Sequence, residues 1–207
     1  AWNVFIDELE EGGELRFCLG CPTCGLHTRV GICDGGRLTA KKRLCTQYGL
    51  EGVFPTDPRP DPAADAAPDL WYAIYLRNEA HIRACDALVA NLTPFRGPSA
   101  DAGTVYELGF MRALGRPVLG YSNDIADFST RTRSFLGDAA RRNTEGEWVD
   151  GEGLSLESFG LVDNLMIDGG IRAAHGVLLR RQVPESERWT DLAGFEACLE
   201  ALAARRG

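Results

Sequence analysis

Two short apolar runs at 87–92 and 117–121, separated by a stretch of helical length, constrain the fold of this chain more than any other feature. They read Ala-Leu-Val-Ala-Asn-Leu and Pro-Val-Leu-Gly-Tyr, which is typical of strands buried on both faces. Helical spacing at 70–85 and 104–114 predicts a helix on either side of the first run. Strands that alternate with helices of about 10–15 residues predict a parallel sheet covered on both faces. The sequence therefore predicts an α/β fold.

The remainder of the chain extends this alternation. Four of the ten prolines fall in 56–69, which predicts a surface loop and a candidate lid. The segment 123–158 is polar and has no strong period, so it yields no prediction of structure. Further elements are predicted as a strand at 14–20, a helix at 39–48, a strand at 52–55, a short helix or turn at 159–166 and a closing helix at 192–204. We expect residues 1–14 to be an N-terminal extension and 15–207 to form one domain.

Length and charge narrow the class of protein. The chain has 207 residues, of which 44% are hydrophobic, enough for one globular domain with a sizeable core. A formal charge of -8 without a basic stripe argues against a nucleic acid partner. No apolar run approaches the roughly 18–20 residues needed to span a bilayer, and the first residues lack a signal-peptide pattern. We therefore expect a cytoplasmic protein without a membrane partner.

Four cysteines close together raise the question of a metal site. Cys18, Cys21 and Cys24 have Cys-x2-Cys-x2-Cys spacing, with His27 and Cys33 following. Such soft ligands could hold zinc or an iron–sulfur cluster. However, zinc sites usually draw on two separated pairs, and the fourth Cys before Pro of the iron–sulfur pattern is missing. Buried free thiols are the alternative that we favour, so we expect no metal.

Two carboxylates group near the end of the strand at 87–92. The chain has no phosphate loop, dinucleotide fingerprint, nucleophile elbow or zinc-protease motif. Asp101 follows the strand and Glu107 lies early in the next helix, so both should face the crevice at the carboxyl end of the sheet. A structural alternative is a capping box from Thr104 to Glu107, with Asp101 as an ordinary loop residue.

The residues around these carboxylates resemble a known family. The stretches 85–97 and 101–109, supported by 41–55 and 159–166, closely resemble the nucleoside 2-deoxyribosyltransferase family. The resemblance covers roughly residues 15–205. It implies a flavodoxin-like, or Rossmann-like, parallel sheet of about five strands and no metal or organic cofactor. It also implies that the substrates are nucleosides and nucleobases. A 2-deoxyribosyl group would be transferred from one nucleobase to another, in nucleobase salvage.

The same resemblance implies roles for individual residues. Glu107 would be the nucleophile that attacks C1′ of the deoxyribose, and Asp101 the acid that exchanges a proton with the base. Asn164 matches a residue that an adjacent subunit contributes to the sugar 5′-hydroxyl, which implies a homo-oligomer with shared active sites. Substrate binding would involve Asn78, Asn91, Gly103, Asn164, Met166, Cys18 and Cys21.

Three departures from the family pattern fall near the reacting centre. Cys18 stands where the family commonly has Tyr, Cys21 where it has Gly, and Asn78 where some members have Asp. Two other functions therefore stay open. One is hydrolysis of nucleosides or nucleoside 5′-monophosphates, with water as the acceptor. The other is a catalytically silent nucleoside-binding module or a cysteine-based metal-binding module.

Overall fold

The structure, a computed structural model, describes residues 3–7, 19–20, 35–55, 57 and 62–206. Short 3-10 helices occupy Gly137–Ala139, Glu185–Glu187 and Ala204–Arg206. The strands are β1 Asn3–Asp7, β2 Leu19–Gly20, β3 Glu51–Val53, β4 Ala87–Asn91, β5 Val118–Ser122, β6 Arg141–Arg142, β7 Trp148–Val149 and β8 Leu178–Arg180. The helices are α1 Gly35–Gln47, α2 Pro62–Asp65, α3 Leu70–Ala84, α4 Ala102–Ala113, α5 Phe128–Leu136, α6 Leu165–Ala173 and α7 Ala193–Ala203.

Most of these strands join one mixed sheet. Its order is β2-β1-β4-β5-β8, and β3 pairs with β1. The pairs β4–β5 and β5–β8 are parallel, with Val89 opposite Leu119 and Tyr121 opposite Leu179. β1 runs antiparallel to β4, β2 and β3. A separate hairpin is formed by β6 and β7.

The prediction of about five parallel strands is wrong for the part of the chain that the structure describes. In that part only β4, β5 and β8 are parallel to one another. The expected strand at 14–20 is described only at Leu19–Gly20, which pairs antiparallel with β1. Instead, β1 lies beside β4. The Val-Phe-Ile run at 4–6 is rich in residues that favour strands, and it satisfies the backbone groups of β4 on that side.

Adjacent residues of β5 show that helices cover both faces of the sheet. A Cβ on Gly120 would lie 3.0 Å from Cδ1 of Ile171, so glycine leaves room for the close packing of α6 on this face. Tyr121 points the other way, where its ring packs 6.3 Å from that of Phe195 on α7. Successive residues of a strand face opposite sides, so α6 and α7 cover opposite faces. This confirms the predicted α/β architecture.

The elements around the predicted crevice lie where the sequence placed them. α3, β4, α4, β5 and α7 begin and end within two residues of their predicted limits. One expectation needs correction, and one segment without a prediction contains regular structure. The short helix or turn at 159–166 is loop up to Asn164, which caps α6, and the segment without a prediction contains α5 and the β6–β7 hairpin. No helix in the described ranges is long and apolar enough to cross a membrane.

Candidate active site

The amino end of α4 faces the edge of the sheet where β4 and β5 end. Asp101 is the N-cap of this helix, and its Oδ2 accepts a hydrogen bond from the backbone N of Thr104 at 3.2 Å. An N-cap carboxylate satisfies one of the backbone donors left open at a helix start. Asp101 is therefore held at the carboxyl end of β4, near the positive end of the helix dipole.

The position of Glu107 excludes the capping-box alternative. α4 begins at Ala102, so Thr104 is the third helical residue and Glu107 the sixth. A capping-box glutamate would have to be the third. The same helix buries Thr104, Leu108 and Met111 against the sheet and leaves Glu107 half-buried. Glu107 therefore lies in the second turn, between the buried and exposed faces of α4.

Gly103 lets the chain pass closely around the Asp101 carboxylate. A Cβ at position 103 would stand 3.0 Å from Oδ2 of Asp101, the oxygen that caps the helix. Any larger residue would force that side chain to move. This contact gives the predicted site residue Gly103 a geometric reason to be glycine.

Helix α3 lies beside α4 and carries Asn78. Oε1 of Glu79 accepts a hydrogen bond from the Tyr106 hydroxyl at 2.9 Å, and the Arg83 guanidinium stacks 4.8 Å from the centroid of Phe110. These two contacts, four residues apart on both helices, align α3 with α4. Asn78 and Glu107 are the immediate chain neighbours of Glu79 and Tyr106, so they occupy neighbouring helices at the same level.

Asn78 has an unsatisfied acceptor at this level. Its Oδ1 is buried and has no hydrogen-bond donor among the described residues. Leaving a buried acceptor unsatisfied costs about 1–3 kcal/mol, so such a group in a native protein calls for an explanation.

The hydrogen bonds of Glu79 also shift the pKa of its carboxyl group. Both Tyr75 and Tyr106 donate a hydrogen bond to its carboxylate. The Tyr75 bond contributes most to lowering the pKa of Glu79 below its ordinary value, and burial opposes it. In return, the bond to Glu79 raises the pKa of Tyr75. Glu79 is therefore a fixed anion that joins the two helices.

Asn91 has a clear structural role in the described site. It is the last residue of β4 and is 3% exposed. Its Oδ1 accepts a hydrogen bond from the backbone N of Thr93 at 3.0 Å, which turns the chain out of the strand. Asn91 therefore shapes the start of the loop that leads to Asp101.

Asn164 and Met166 lie at the amino end of α6. The Asn164 side chain caps the helix, because its Oδ1 accepts from the backbone N of Met166 at 3.0 Å. Its Nδ2 donates to Glu157, whose other oxygen accepts from the backbone N of Leu165 at 2.9 Å. The Met166 side chain is 73% exposed. The Asn164 amide thus has partners within its own chain, whereas Met166 faces solvent.

A buried carboxylate, Asp163, brings the two predicted segments together. It accepts hydrogen bonds from Ser99 Oγ at 2.5 Å and from the backbone N of Ala100 at 2.8 Å. Ala100 precedes Asp101, and Asp163 precedes Asn164. Sequence reasoning missed Asp163, although a lone aspartate within Gly-Leu-Val-Asp-Asn-Leu-Met was a visible signal of a buried polar anchor.

The predicted residues Cys18 and Cys21 lie outside the described part of the chain, as do Cys24, His27 and Cys33. Within that part, no group of three or more histidine, cysteine or acidic side chains could hold a metal ion. The three cysteines it contains, Cys45, Cys85 and Cys198, are buried free thiols. Burial raises the pKa of Cys198 to about 12 and makes that thiol a poor ligand or nucleophile.

Comparison with known proteins assigns the chain to a family. The model for Nucleoside 2-deoxyribosyltransferase matches residues 33–166. An uncharacterized protein of Schizosaccharomyces pombe is 31% identical over 176 residues, and the match covers 79% of each chain. A solved 2-desoxiribosyltransferase from Leishmania mexicana is 26% identical, with a TM-score of 0.52, over 84% of this chain and 89% of that one. The chain belongs to the nucleoside 2-deoxyribosyltransferase family.

Proposed function

We propose that this deoxyribosyltransferase-like enzyme moves a 2-deoxyribosyl group from one nucleobase to another through a covalent ester on Glu107. The observation that carries the proposal is the placement of Asp101 and Glu107 on successive turns at the amino end of α4, where β4 ends. An acid and a nucleophile on one rigid helix can act on the two sides of one glycosidic bond.

In the first step, a carboxylate oxygen of Glu107 bonds to C1′ as the bond between C1′ and the base nitrogen breaks. The electron pair of that bond leaves with the base, and Asp101 donates a proton to the base. The transition state resembles an oxocarbenium ion, which the glutamate charge stabilises. The product is a glutamyl-deoxyribosyl ester, and Asp101 is left ionised.

In the second step, a nitrogen of the incoming base attacks C1′ and the ester oxygen leaves as the Glu107 carboxylate. Asp101 takes up the proton that the incoming base releases, which restores the starting state. Two displacements at one carbon retain its configuration. Water in place of the second base would give free deoxyribose, so hydrolysis proceeds through the same intermediate.

The Oδ1 of Asn78, which has no hydrogen-bond donor among the described residues, supports sugar binding on the α3 side of this site. A pentose hydroxyl would donate a hydrogen bond to it and remove the penalty of a buried, unsatisfied acceptor. An asparagine can orient a hydroxyl in this way but cannot act as a base. We propose that Gly103 and Met166 border the substrate and that Asn91 shapes the loop beneath it.

A product assay tests the reaction. The protein is incubated with a panel of deoxynucleosides, with and without a free acceptor base, and the products are separated by chromatography. We expect a new nucleoside only when the acceptor is present. Free deoxyribose alone would favour the hydrolase, and no product would favour a binding module. A parallel reaction with a chelator tests the expectation that no metal takes part.

Substitution of Glu107 tests the covalent step. We expect Glu107→Gln to lower kcat by about 10³-fold or more, because an amide oxygen is a far poorer nucleophile than a carboxylate. The control is Glu200→Gln, the same change at an exposed position of α7 on the opposite face of the sheet. Mass spectrometry of acid-quenched wild-type protein should find the deoxyribosyl adduct on the Glu107 peptide. An adduct elsewhere, or an active Glu107→Gln enzyme, contradicts the proposal.

We also propose that the enzyme is a homo-oligomer that buries an aromatic surface of α3 and α4. This aromatic surface comprises Trp71, Tyr72, Tyr75, Tyr106 and Phe110, with ring centroids 5.4–6.3 Å apart along the series. Trp71 is 69% exposed and Tyr106 48% exposed. Contiguous exposed apolar surface of this kind marks interaction sites. An isologous contact between two copies would bury the aromatic surface of both copies against each other. A second copy also agrees with the subunit sharing implied by the family resemblance.

Analytical ultracentrifugation tests this assembly. We expect the wild-type protein to sediment as a dimer or larger species and Trp71→Glu to shift it toward the monomer, with loss of transfer activity. Leu154→Glu, which adds a charge at an exposed leucine outside the aromatic surface, is the control and should change neither property. A fully active wild-type monomer would refute the proposal.

A further inference from the structure

The side chain of Arg131 on α5 connects three loops at the carboxyl edge of the sheet. It is 8% exposed. Its Nε donates to the carbonyl oxygen of Pro98 at 2.8 Å, its Nη2 to that of Val162 at 2.6 Å, and its Nη1 to that of Ala126. These carbonyls belong to the loop before α4, the loop before α6 and the loop before α5. One guanidinium thus fixes three segments that are far apart in sequence.

Asp163 completes this arrangement from the opposite side. It is fully buried, and its Oδ2 lies 3.7 Å from Nη2 of Arg131. Its oxygens accept from Ser99 Oγ, from the backbone N of Ala100 and, at 2.8 Å, from the backbone N of Asn164. Among the described residues, the bonded groups therefore lie immediately before Asp101 and at the start of α6.

The hydrogen bonds of this pair point to a role in positioning. A buried ion pair by itself adds little net stability, because desolvation offsets the attraction between the charges. Here the two side chains form hydrogen bonds with backbone groups of the loops and with the Ser99 hydroxyl. The loops they join lead directly into Asp101 and Asn164.

Resting on the proposed function, we propose that Arg131 and Asp163 are positioning residues that hold the Asp101–Glu107 end of α4 against the Asn164–Met166 end of α6. They would set the distance between the reacting carboxylates and the part of the site that binds the substrate. A misplacement of about 1 Å can lower the rate about 100-fold. We call the Arg131–Asp163 pair the clamp, and we expect its loosening to lower mainly kcat.

A matched pair of arginine variants tests the inference. Arg131→Lys keeps the charge but loses the planar fork that reaches three carbonyls. Arg116→Lys is the control, because Arg116 also donates to three carbonyls, those of Ile82, Arg83 and Cys85, but at the opposite edge of the sheet. Both variants lose a comparable set of hydrogen bonds, but only Arg131 lies beside the candidate site.

We expect Arg131→Lys to lower kcat by 10-fold to 100-fold with less than a threefold change in KM for the nucleoside. Hydrogen exchange at the amides of 99–104 and 163–167 should become faster in the same variant. Arg116→Lys should leave kcat and these amides unchanged. Equal kcat for the two variants, or unchanged exchange in Arg131→Lys, would overturn the inference.

Two further measurements separate the possible failures. If Arg131→Lys does not fold, Ser99→Ala removes only the hydroxyl bond to Asp163, and we expect faster exchange at 99–104 and at least a threefold lower kcat. Unchanged values in Ser99→Ala would count against the clamp. If the wild-type protein neither transfers nor hydrolyses, the proposed function fails, whereas the exchange comparison still tests the clamp.

Discussion

Replacing Asp101 by asparagine and by alanine separates the two roles that we assign to this carboxylate. As the N-cap of α4 it accepts the backbone N–H of Thr104 at 3.2 Å. As the proposed acid it exchanges a proton with the base in both half-reactions. Asparagine can still accept the capping hydrogen bond but cannot exchange the proton, whereas alanine can do neither.

The two substitutions should differ in stability and agree in activity. At a pH where Asp101 is ionised, asparagine loses only the attraction between that negative charge and the helix amino end, about 0.3–1 kcal/mol. Alanine also loses the hydrogen bond, which brings the total to about 1–2 kcal/mol. For a protein of this size each kcal/mol lowers Tm by about 2–4 °C. Loss of the proposed acid should lower kcat by about 10²–10⁴-fold in both variants.

Urea unfolding of each variant and initial rates of base exchange provide the measurements. Rates are compared at a temperature well below the unfolding transition, so that both variants are fully folded. If Asp101→Asn transfers deoxyribose at the wild-type rate, Asp101 acts only as a cap. If Asp101→Ala unfolds at the wild-type urea concentration, the capping role assigned to this side chain is wrong.

Two more predictions concern the ends of α4 and α6. Gly103→Ala should lower kcat, because the new Cβ would stand 3.0 Å from Oδ2 of Asp101 and displace it; steady-state kinetics test this, and an unchanged kcat would contradict it. Burial raises the pKa of Asp168 above its ordinary 3.8, so the folded state binds its proton more tightly than the unfolded state. The free energy of unfolding should therefore fall as pH rises from 3.8 through the raised pKa. Urea titrations of Asp168→Asn should show this fall removed, and the same slope as the wild type would contradict the assignment.

Apolar patterning predicted the central elements of the fold because their burial is decided locally. β4 is buried at all five positions, and so is β5, which matches the continuous apolar runs in the sequence. α5 escaped prediction because Phe-Ser-Thr-Arg-Thr-Arg-Ser-Phe-Leu is mostly polar, although its N-cap Asp127 was a local signal. β8 has three residues, two half-buried and one exposed, so it carries almost no pattern.

The sequence proposed residues for the candidate site but did not reveal the contacts that hold them. Asp101 and Glu107 were proposed from the sequence, but the capping motif suggested Thr104 as the N-cap of the helix. The structure assigns the N-cap to Asp101. Both Asp and Thr are good N-cap residues, so spacing alone could not choose between them. The contact of Asp163 with Ala100 joins positions 63 residues apart, and no local rule reports such a contact.

The pairing of β1 with β4 has a consequence for the order of folding. Phe5 lies opposite Leu88, whereas β4, α4 and β5 follow one another within 87–122. Closing the long loop to β1 costs more entropy than closing the short crossover, so contacts of β1 form late. Interactions that are absent from the transition state affect the unfolding rate and leave the folding rate nearly unchanged. Substitutions in β1 should therefore shorten the lifetime of the native state while refolding proceeds at its usual speed.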